Sequence, residues 1–448
     1  MNTPICDFVR RYIERGTLRL HMPGHKGVYG IGVENMDITE IHGADSLYEA
    51  DGIIAESERN ACSLFGAHTL YSTEGSSQCI RAMVYLLSLH ARAEGKTPRI
   101  LAGRNAHKTF LSAVALLDVD VAWLFPAATD SYLSCPVDAT TLDKTLSEAK
   151  DVTAVYLTSP DYLGNTADIA SLSEVCHRHG VLLAVDNAHG AYLKFLPESR
   201  HPMDLGADIC CDSAHKTLPT LTGGAYLHLS KSAPSLIHGQ AKNALALFGS
   251  TSPSYIILQS LDYTNFLLGD HDFPAALAAS VETVQSLKKR LTDHGYVLIG
   301  DEPMKLTLST KPYGYTGTCV AAHLRKHNVE CEFADPDFVV LMLAPNPILK
   351  TERLERVINV LCALPRRSPI AEQPPRFHRA ETAMSIREAT LSAAETLPAS
   401  QCEGRILATA TVGCPPAVPI AICGERLDAE TLRRFAYYGI ENCTVVKE

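Results

Sequence analysis

The stretch DICCDSAHKTLPTLTGGAYLH, Asp208 to His228, decides how the chain is read. Ile209-Cys210-Cys211 is an apolar run that predicts a short buried strand, and Ala225-Tyr226-Leu227 predicts another. Between them lie Asp212-Ser213-Ala214-His215-Lys216-Thr217, a proline and two adjacent glycines. Strand, polar loop, glycine turn and strand is how an open α/β sheet presents chemistry at its strand ends. Lys216 sits in that loop. Such an ammonium is a salt-bridge partner, a solvent-facing charge, or a reactive amine with a lowered pKa.

The pattern alternates upstream of this stretch. Ser76 to His90 has Ile80, Met83, Val84 and Leu87 at helical spacing. RILAG predicts a strand, HKTFLSAVALLD a helix, VDVAWLF a strand, Leu142 to Ala149 a helix and TAVYLTSP a strand. Ile169 to His179 predicts a helix stopped by Gly180, and VLLAVDNAHG a strand opening into a polar loop. Repeated βα units with wholly apolar strands imply an α/β fold in three layers, a mainly parallel sheet covered on both faces. Polar residues follow the strands at Arg104 to Lys108, Asp186 to His189 and Ser213 to Lys216, where such sheets bind ligands.

Other segments set the domain expectations. Residues 1–50 form an arm: a short helix from Pro4 to Gly16, then an irregular, turn-rich stretch. Residues 51–270 form the large domain. Residues 271–368 form a smaller α/β domain, with a helix at Phe273 to His294, strand at Val297 to Ser309, a helix in GTCVAAHLRKHNV and a strand in FVVLMLAP. The Pro-rich PRRSPIAEQPPRF opens a short tail domain, residues 369–448.

Bulk properties exclude several classes. The formal net charge of -10 disfavours a nucleic-acid binder, which needs a basic face. No apolar run reaches the roughly 18 residues of a membrane span. The start, MNTPICDFVRRYIERG, shows no basic region leading into an apolar signal core. The 14 cysteines are scattered without CxxC or finger spacing, so no metal site is expected and a reduced, cytoplasmic protein is.

Four loops combine into one chemistry. STEGSSQ, Ser72 to Gln78, enters the helix near Ser76, and a helix N-terminus with small residues binds anions, although Ser and Thr also simply cap helices. Asp186 ends the apolar run VLLAV, where it faces a ligand or caps the next helix. His107 follows a strand in GRNAHKTF and is either structural or a ring that stacks on a flat ligand. Lys216 lies beyond the next strand. Anion-binding helix start, strand-end aspartate and loop lysine together describe a pyridoxal 5'-phosphate site: phosphate on the helix, Asp on the pyridine nitrogen, Lys as the Schiff-base amine.

The chain resembles the prokaryotic ornithine/lysine/arginine decarboxylase family of the aspartate-aminotransferase fold type. The motifs are HMPGHKG, DITEI.G.D.L, RN.HKT, D.AHGAYLKF, S.HKTLP.LT, TSPSY and PPAVPI...GERL, in order, from about residue 3 to 440. The resemblance implies a fold type I pyridoxal phosphate domain and decarboxylation of a basic L-amino acid, arginine first, then lysine or ornithine, for polyamine metabolism. It implies Lys216 as the Schiff-base lysine beside His215, Asp186 on the pyridine nitrogen and His107 on the ring. Gly75, Ser76, Ser77 and Ser213 would hold the phosphate, and His189 would lie near the reacting carbon. Ser250, Thr251 and Ser252 in STSPS would reach the phosphate of the neighbouring subunit, giving a homodimer with shared active sites. Lys216 or His215 would return the proton to the α-carbon. The chain resembles the short form without a wing domain, so large ring assemblies are not expected.

Some positions depart from the family pattern. Asn187 follows the Asp where Glu is common, Ala214 replaces Thr, Thr222-Gly223-Gly224 replaces a more polar run, and Glu74 puts a carboxylate near the phosphate, where it is expected to point away. Asp45 and Glu425 are the candidates for receiving a distal substrate cation, and each is equally readable as a loop carboxylate capping a backbone N–H. The rival readings are another pyridoxal phosphate lyase or aminotransferase of this fold, and a binding protein that kept the fold without catalysis.

Overall fold

The computed structural model describes residues 1–28, 30–126, 131–149, 151–345, 348–409 and 417–448. The chain forms two compact units, Met1–Pro98 with Ile169–Ala275, and Arg99–Asp168 with Ala276–Glu448.

In the first unit, strand His68–Ser72 lies antiparallel to Ala225–Leu229, and Ala225–Leu229 lies antiparallel to Ile209–Asp212. Ile209–Asp212 runs parallel to Leu182–Asp186. These strands are buried almost throughout, and the parallel pair Leu182–Asp186 and Ile209–Asp212 is apolar up to the aspartate that ends each strand. Helix Gly75–Ala93 buries Ile80, Met83, Val84 and Leu87, the residues whose spacing predicts it. Each such side chain contributes about 1.5–3 kcal/mol. Helix Ile53–Phe65 ends on Gly66, whose φ of 71° is the left-handed C-terminal cap. Among the described residues of 17–50, the short turn Leu47–Glu49 is the one helical element, and Leu18, Leu20, Met22 and Ile31 are exposed there.

In the second unit, Arg99–Gly103 is flanked by the parallel strands Asp120–Leu124 and Ala154–Thr158. A separate antiparallel sheet runs in the order Val297–Ile299, Lys305–Ser309, Phe338–Met342, Phe333–Ala334. The single strand expected from Val297 to Ser309 is therefore a pair. The chain reverses from Gly300, at φ +80°, where a Cβ would lie 2.6 Å from the Leu163 carbonyl oxygen, so only glycine fits. The last residues pair Ala394–Pro398 with Asn442–Val446 and pack Leu407, Leu427, Phe435 and Val445 into one apolar cluster.

Among the described residues, no helix is long and apolar enough to cross a membrane. The described cysteines are free thiols, several of them buried.

Candidate active site

The strand Ile209–Asp212 leads into Ser213 and a single helical turn, Ala214–Thr217, where the sequence alone suggests an open loop. The Lys216 amide closes onto the Ser213 carbonyl at 3.0 Å. The turn carries the Lys216 Nζ to 3.1 Å from His189 Nε2, on the segment that follows strand Leu182–Asp186. His215 turns elsewhere. Its Nδ1 lies 3.0 Å from the Gly224 carbonyl, which can only accept, so Nδ1 carries the hydrogen. Burial, joined by the neighbouring Lys216 charge, lowers its pKa against the opposing hydrogen bond to Gly224. The imidazole at the Lys216 amine is thus His189 rather than His215.

The anion end is built by glycines. Gly75 opens helix Gly75–Ala93 at φ +71°, and its N–H donates to the Gly223 carbonyl at 2.7 Å. Gly75 therefore shapes the helix start without offering its own amide. Gly223, at φ +100°, has no room for a Cβ, which would lie 2.9 Å from the Thr73 carbonyl oxygen. This close approach accounts for the Thr222-Gly223-Gly224 departure. Ser213 Oγ then lies 2.7 Å from Ser76 Oγ, joining the turn before Lys216 to the helix start. Ser77 is half-buried beside it. Glu74 gives its carboxylate to the Ser250 backbone N–H. Ser250, Thr251 and Ser252 are exposed, just before helix Tyr255–Leu268, which Ser254 caps.

Asp186 is 2% exposed. Its Oδ1 accepts the Ala188 N–H at 3.1 Å and the Cys211 thiol at 3.7 Å. The next turn, Ala191–Phe195, starts after Gly190, so Asp186 is no helix cap. An amine beside an imidazole, a buried carboxylate at a strand end, and hydroxyls at a helix N-terminus are the donor set that pyridoxal phosphate requires. All of it lies within the first unit.

His107 lies in the second unit and caps helix Lys108–Leu117, its Nδ1 accepting the Thr109 N–H at 3.2 Å. The same strand end supplies Arg104, the first of the polar residues that follow this strand. It donates to the Pro419 and Ile420 carbonyls at 3.0 and 3.3 Å and pairs with Glu425 at 3.3 Å. Pro415 and Pro416 of the PPAVPI motif lie outside the described residues.

The two carboxylates expected to receive a substrate cation are committed otherwise. Asp45 accepts backbone N–H groups from Ser46 and Asp51 on Oδ1, and from Gly52, Ile54 and Ala55 on Oδ2. It caps helix Ile53–Phe65, and its lone pairs are used. Glu425 accepts the Ile422 N–H at 2.8 Å and neutralises Arg104, so its charge is compensated.

The model of the Orn/Lys/Arg decarboxylase major domain matches residues 3–299. The YaaO protein of Bacillus subtilis is 29% identical over 97% of this chain and 94% of its own. An arginine decarboxylase of Bacillus subtilis is 27% identical over 96% and 92%. The Francisella novicida lysine decarboxylase structure superposes with a TM-score of 0.80 at 15% identity, over 99% of this chain and 81% of that one. This last likeness shows the fold, the α/β pyridoxal phosphate fold expected from the sequence.

Proposed function

The chain belongs to the Orn/Lys/Arg decarboxylase family of pyridoxal phosphate enzymes, and we propose that it decarboxylates a basic L-amino acid, arginine first, to the amine used in polyamine metabolism. The likeness to arginine decarboxylases over nearly the whole chain supports the choice of arginine. The observation that carries the reaction is Lys216 set 3.1 Å from His189, in the unit that also buries Asp186.

Lys216 is the amine that anchors the cofactor. Ser76, Ser77 and Ser213 would bind its phosphate, and His107 would stack on its ring. Bound pyridoxal phosphate supplies the electron sink that accepts the pair left when carbon dioxide departs. Asp186 holds a proton at the pyridine nitrogen, which keeps that sink strong. His189 takes and gives a proton at Nε2. It sets the protonation of the Lys216 amine and returns a proton to the α-carbon, with Lys216 as the alternative donor.

Two copies share their active sites, Ser250, Thr251 and Ser252 reaching the phosphate of the partner. Their exposure supports this, as does the arm that exposes Leu18, Leu20, Met22 and Ile31 in a single copy. Free thiols fit a cytoplasmic setting.

The test is release of labelled carbon dioxide from carboxyl-labelled arginine, lysine, ornithine and an aromatic amino acid. Release from a basic amino acid with one amine formed per carbon dioxide is expected. Transfer of the amino group to a keto acid without gas release would refute the proposal.

A further inference from the structure

Behind the site lies a buried charge that the reaction scheme leaves unused. Asp212 ends the strand beside Asp186 and is fully buried with His201 and His228. His201 Nε2 and His228 Nε2 reach its Oδ2 at 3.0 and 3.1 Å, and Asn187 Nδ2 donates to its Oδ1 at 2.7 Å.

The hydrogen position on His201 is fixed by its outer partner. His201 Nδ1 accepts the Met203 backbone N–H at 3.3 Å, and a backbone amide can only donate. The hydrogen of a neutral His201 is therefore on Nε2, facing Asp212. His228 Nδ1 meets the Thr69 hydroxyl, which can donate or accept, at 2.9 Å, and burial lowers the pKa of this ring while Asp212 raises it. Asp212 accepts from His201 Nε2 and from the Asn187 amide, as an ionised carboxylate does. Burial opposes its ionisation, but His201 and then His228 hold its carboxyl well below the usual range. Other titratable groups bearing on Asp212 are Cys79, Cys210, Cys211 and Tyr226, whose pKa values burial raises, and Asp186 bears on Cys79, Cys210 and Cys211 as well. Because the His201 nitrogen facing Asp212 bears a hydrogen, the cluster is a hydrogen-bonded network around this carboxylate.

The network leads to the cofactor machinery in two directions. Asn187 is the neighbour of Asp186. Its N–H donates to the Cys211 carbonyl at 3.0 Å, and its carbonyl accepts the Gly190 N–H at 2.8 Å, closing the turn that carries His189. Asn187 Oδ1 is buried with no partner among the described residues, so the amide is oriented by its bond to Asp212 alone. In the other direction, Asp212 is followed directly by Ser213, which meets Ser76.

We propose that Asp212 is a positioning residue for Asp186: a second buried anion, clamped by His201 and His228, that fixes the Asp186 turn through Asn187 and strengthens the proton on the pyridine nitrogen. This rests on the assignment of Asp186 to that nitrogen. Asn187 is then the residue that couples the two carboxylates, which explains an amide where Glu is common.

The experiment measures the pKa of the cofactor's ring nitrogen by its ¹⁵N chemical shift in holoenzyme loaded with ¹⁵N-labelled pyridoxal phosphate. Wild type, Asp186→Asn, Asp212→Asn and Asn187→Ala are compared, each with a circular dichroism check of folding. Removing an anion near a cation shifts a pKa by about 1–3 units, so Asp212→Asn is expected to lower the ring value by about one unit or more. If Asp212→Asn does not fold, Asn187→Ala, which severs the clamp and leaves the anion and its imidazoles intact, is expected to move it in the same direction. A folded variant with the wild-type ring pKa, while Asp186→Asn lowers it, overturns the inference. A wild-type value in Asp186→Asn itself instead removes the underlying assignment of Asp186.

Discussion

Lys216 Nζ and His189 Nε2 lie 3.1 Å apart, on segments that leave two adjacent parallel strands. Either atom can donate to the other, so the imidazole can set the protonation of the amine and exchange a proton with it. His189→Gln keeps a polar side chain but cannot exchange a proton. It should lower kcat by about 10²-fold or more with a smaller change in KM. Borohydride reduction followed by peptide mapping should still label Lys216, and should label no lysine in Lys216→Ala. Wild-type kcat in the glutamine variant would remove His189 from the proton path.

Asp186→Asn tests the electron sink. The amide keeps the volume and can still accept the Ala188 N–H, so the fold should survive. A neutral group cannot hold the ring proton, and turnover should fall by about 10³-fold, equivalent to about 4 kcal/mol. Near-wild-type turnover would leave Asp186 as a turn-forming carboxylate only.

Asp45 and Glu425 should behave as structural carboxylates. Asp45→Ala strips a buried cap from helix Ile53–Phe65 and should cost about 2 kcal/mol. Glu425→Gln leaves the buried Arg104 without its counter-charge and should cost about 3 kcal/mol, seen as a lower Tm. Neither variant should change the ratio of kcat/KM for arginine to that for uncharged norleucine. A drop of about 10²-fold in that ratio for either variant would reinstate it as the cation receptor.

Asp335 predicts a pH-dependent stability. Burial, then the nearby Asp337 charge, outweigh its two backbone N–H bonds and raise its carboxyl pKa to about 7 from 3.8. Its Oδ2 is buried with no partner among the described residues. The native state therefore holds this proton longer than the unfolded chain. Stability from this group is fully present below about pH 4 and is lost as pH rises to about 7, by up to about 4 kcal/mol. Asp335→Asn should remove that slope. In urea melts its advantage over wild type should grow from pH 5 to pH 8, and parallel pH profiles would contradict the assignment.

Shared active sites predict complementation. Lys216→Ala chains mixed with chains carrying Ser250→Ala, Thr251→Ala and Ser252→Ala should form mixed dimers with one intact site and recover part of the activity. Mixed dimers that form, as shown by mass spectrometry, yet remain inactive would mean that each site is built within one chain.

The sequence by itself determined the strands and the residues at their ends. Continuous apolar runs such as LLAV and ICC can only be strands buried on both faces, and a polar residue that interrupts such a run marks the end where ligands bind. The strand-end positions of Asp186 and Lys216 were legible on that ground and the helix start near Ser76 from its apolar spacing, whereas Gly75 came only from the family resemblance. Tertiary structure alone decided which side chains share a partner. Arg104 and Glu425 are far apart in sequence, and the five amides that claim Asp45 are backbone groups that no residue pattern announces. His201, Asp212 and His228 escaped notice for the same reason. A buried histidine looks like any other until its second nitrogen is seen to accept, as His201 Nδ1 does, and that contact puts the hydrogen on the nitrogen facing Asp212. Periodicity reports burial one residue at a time, whereas hydrogen-bond partners and charge compensation belong to pairs that only folding creates.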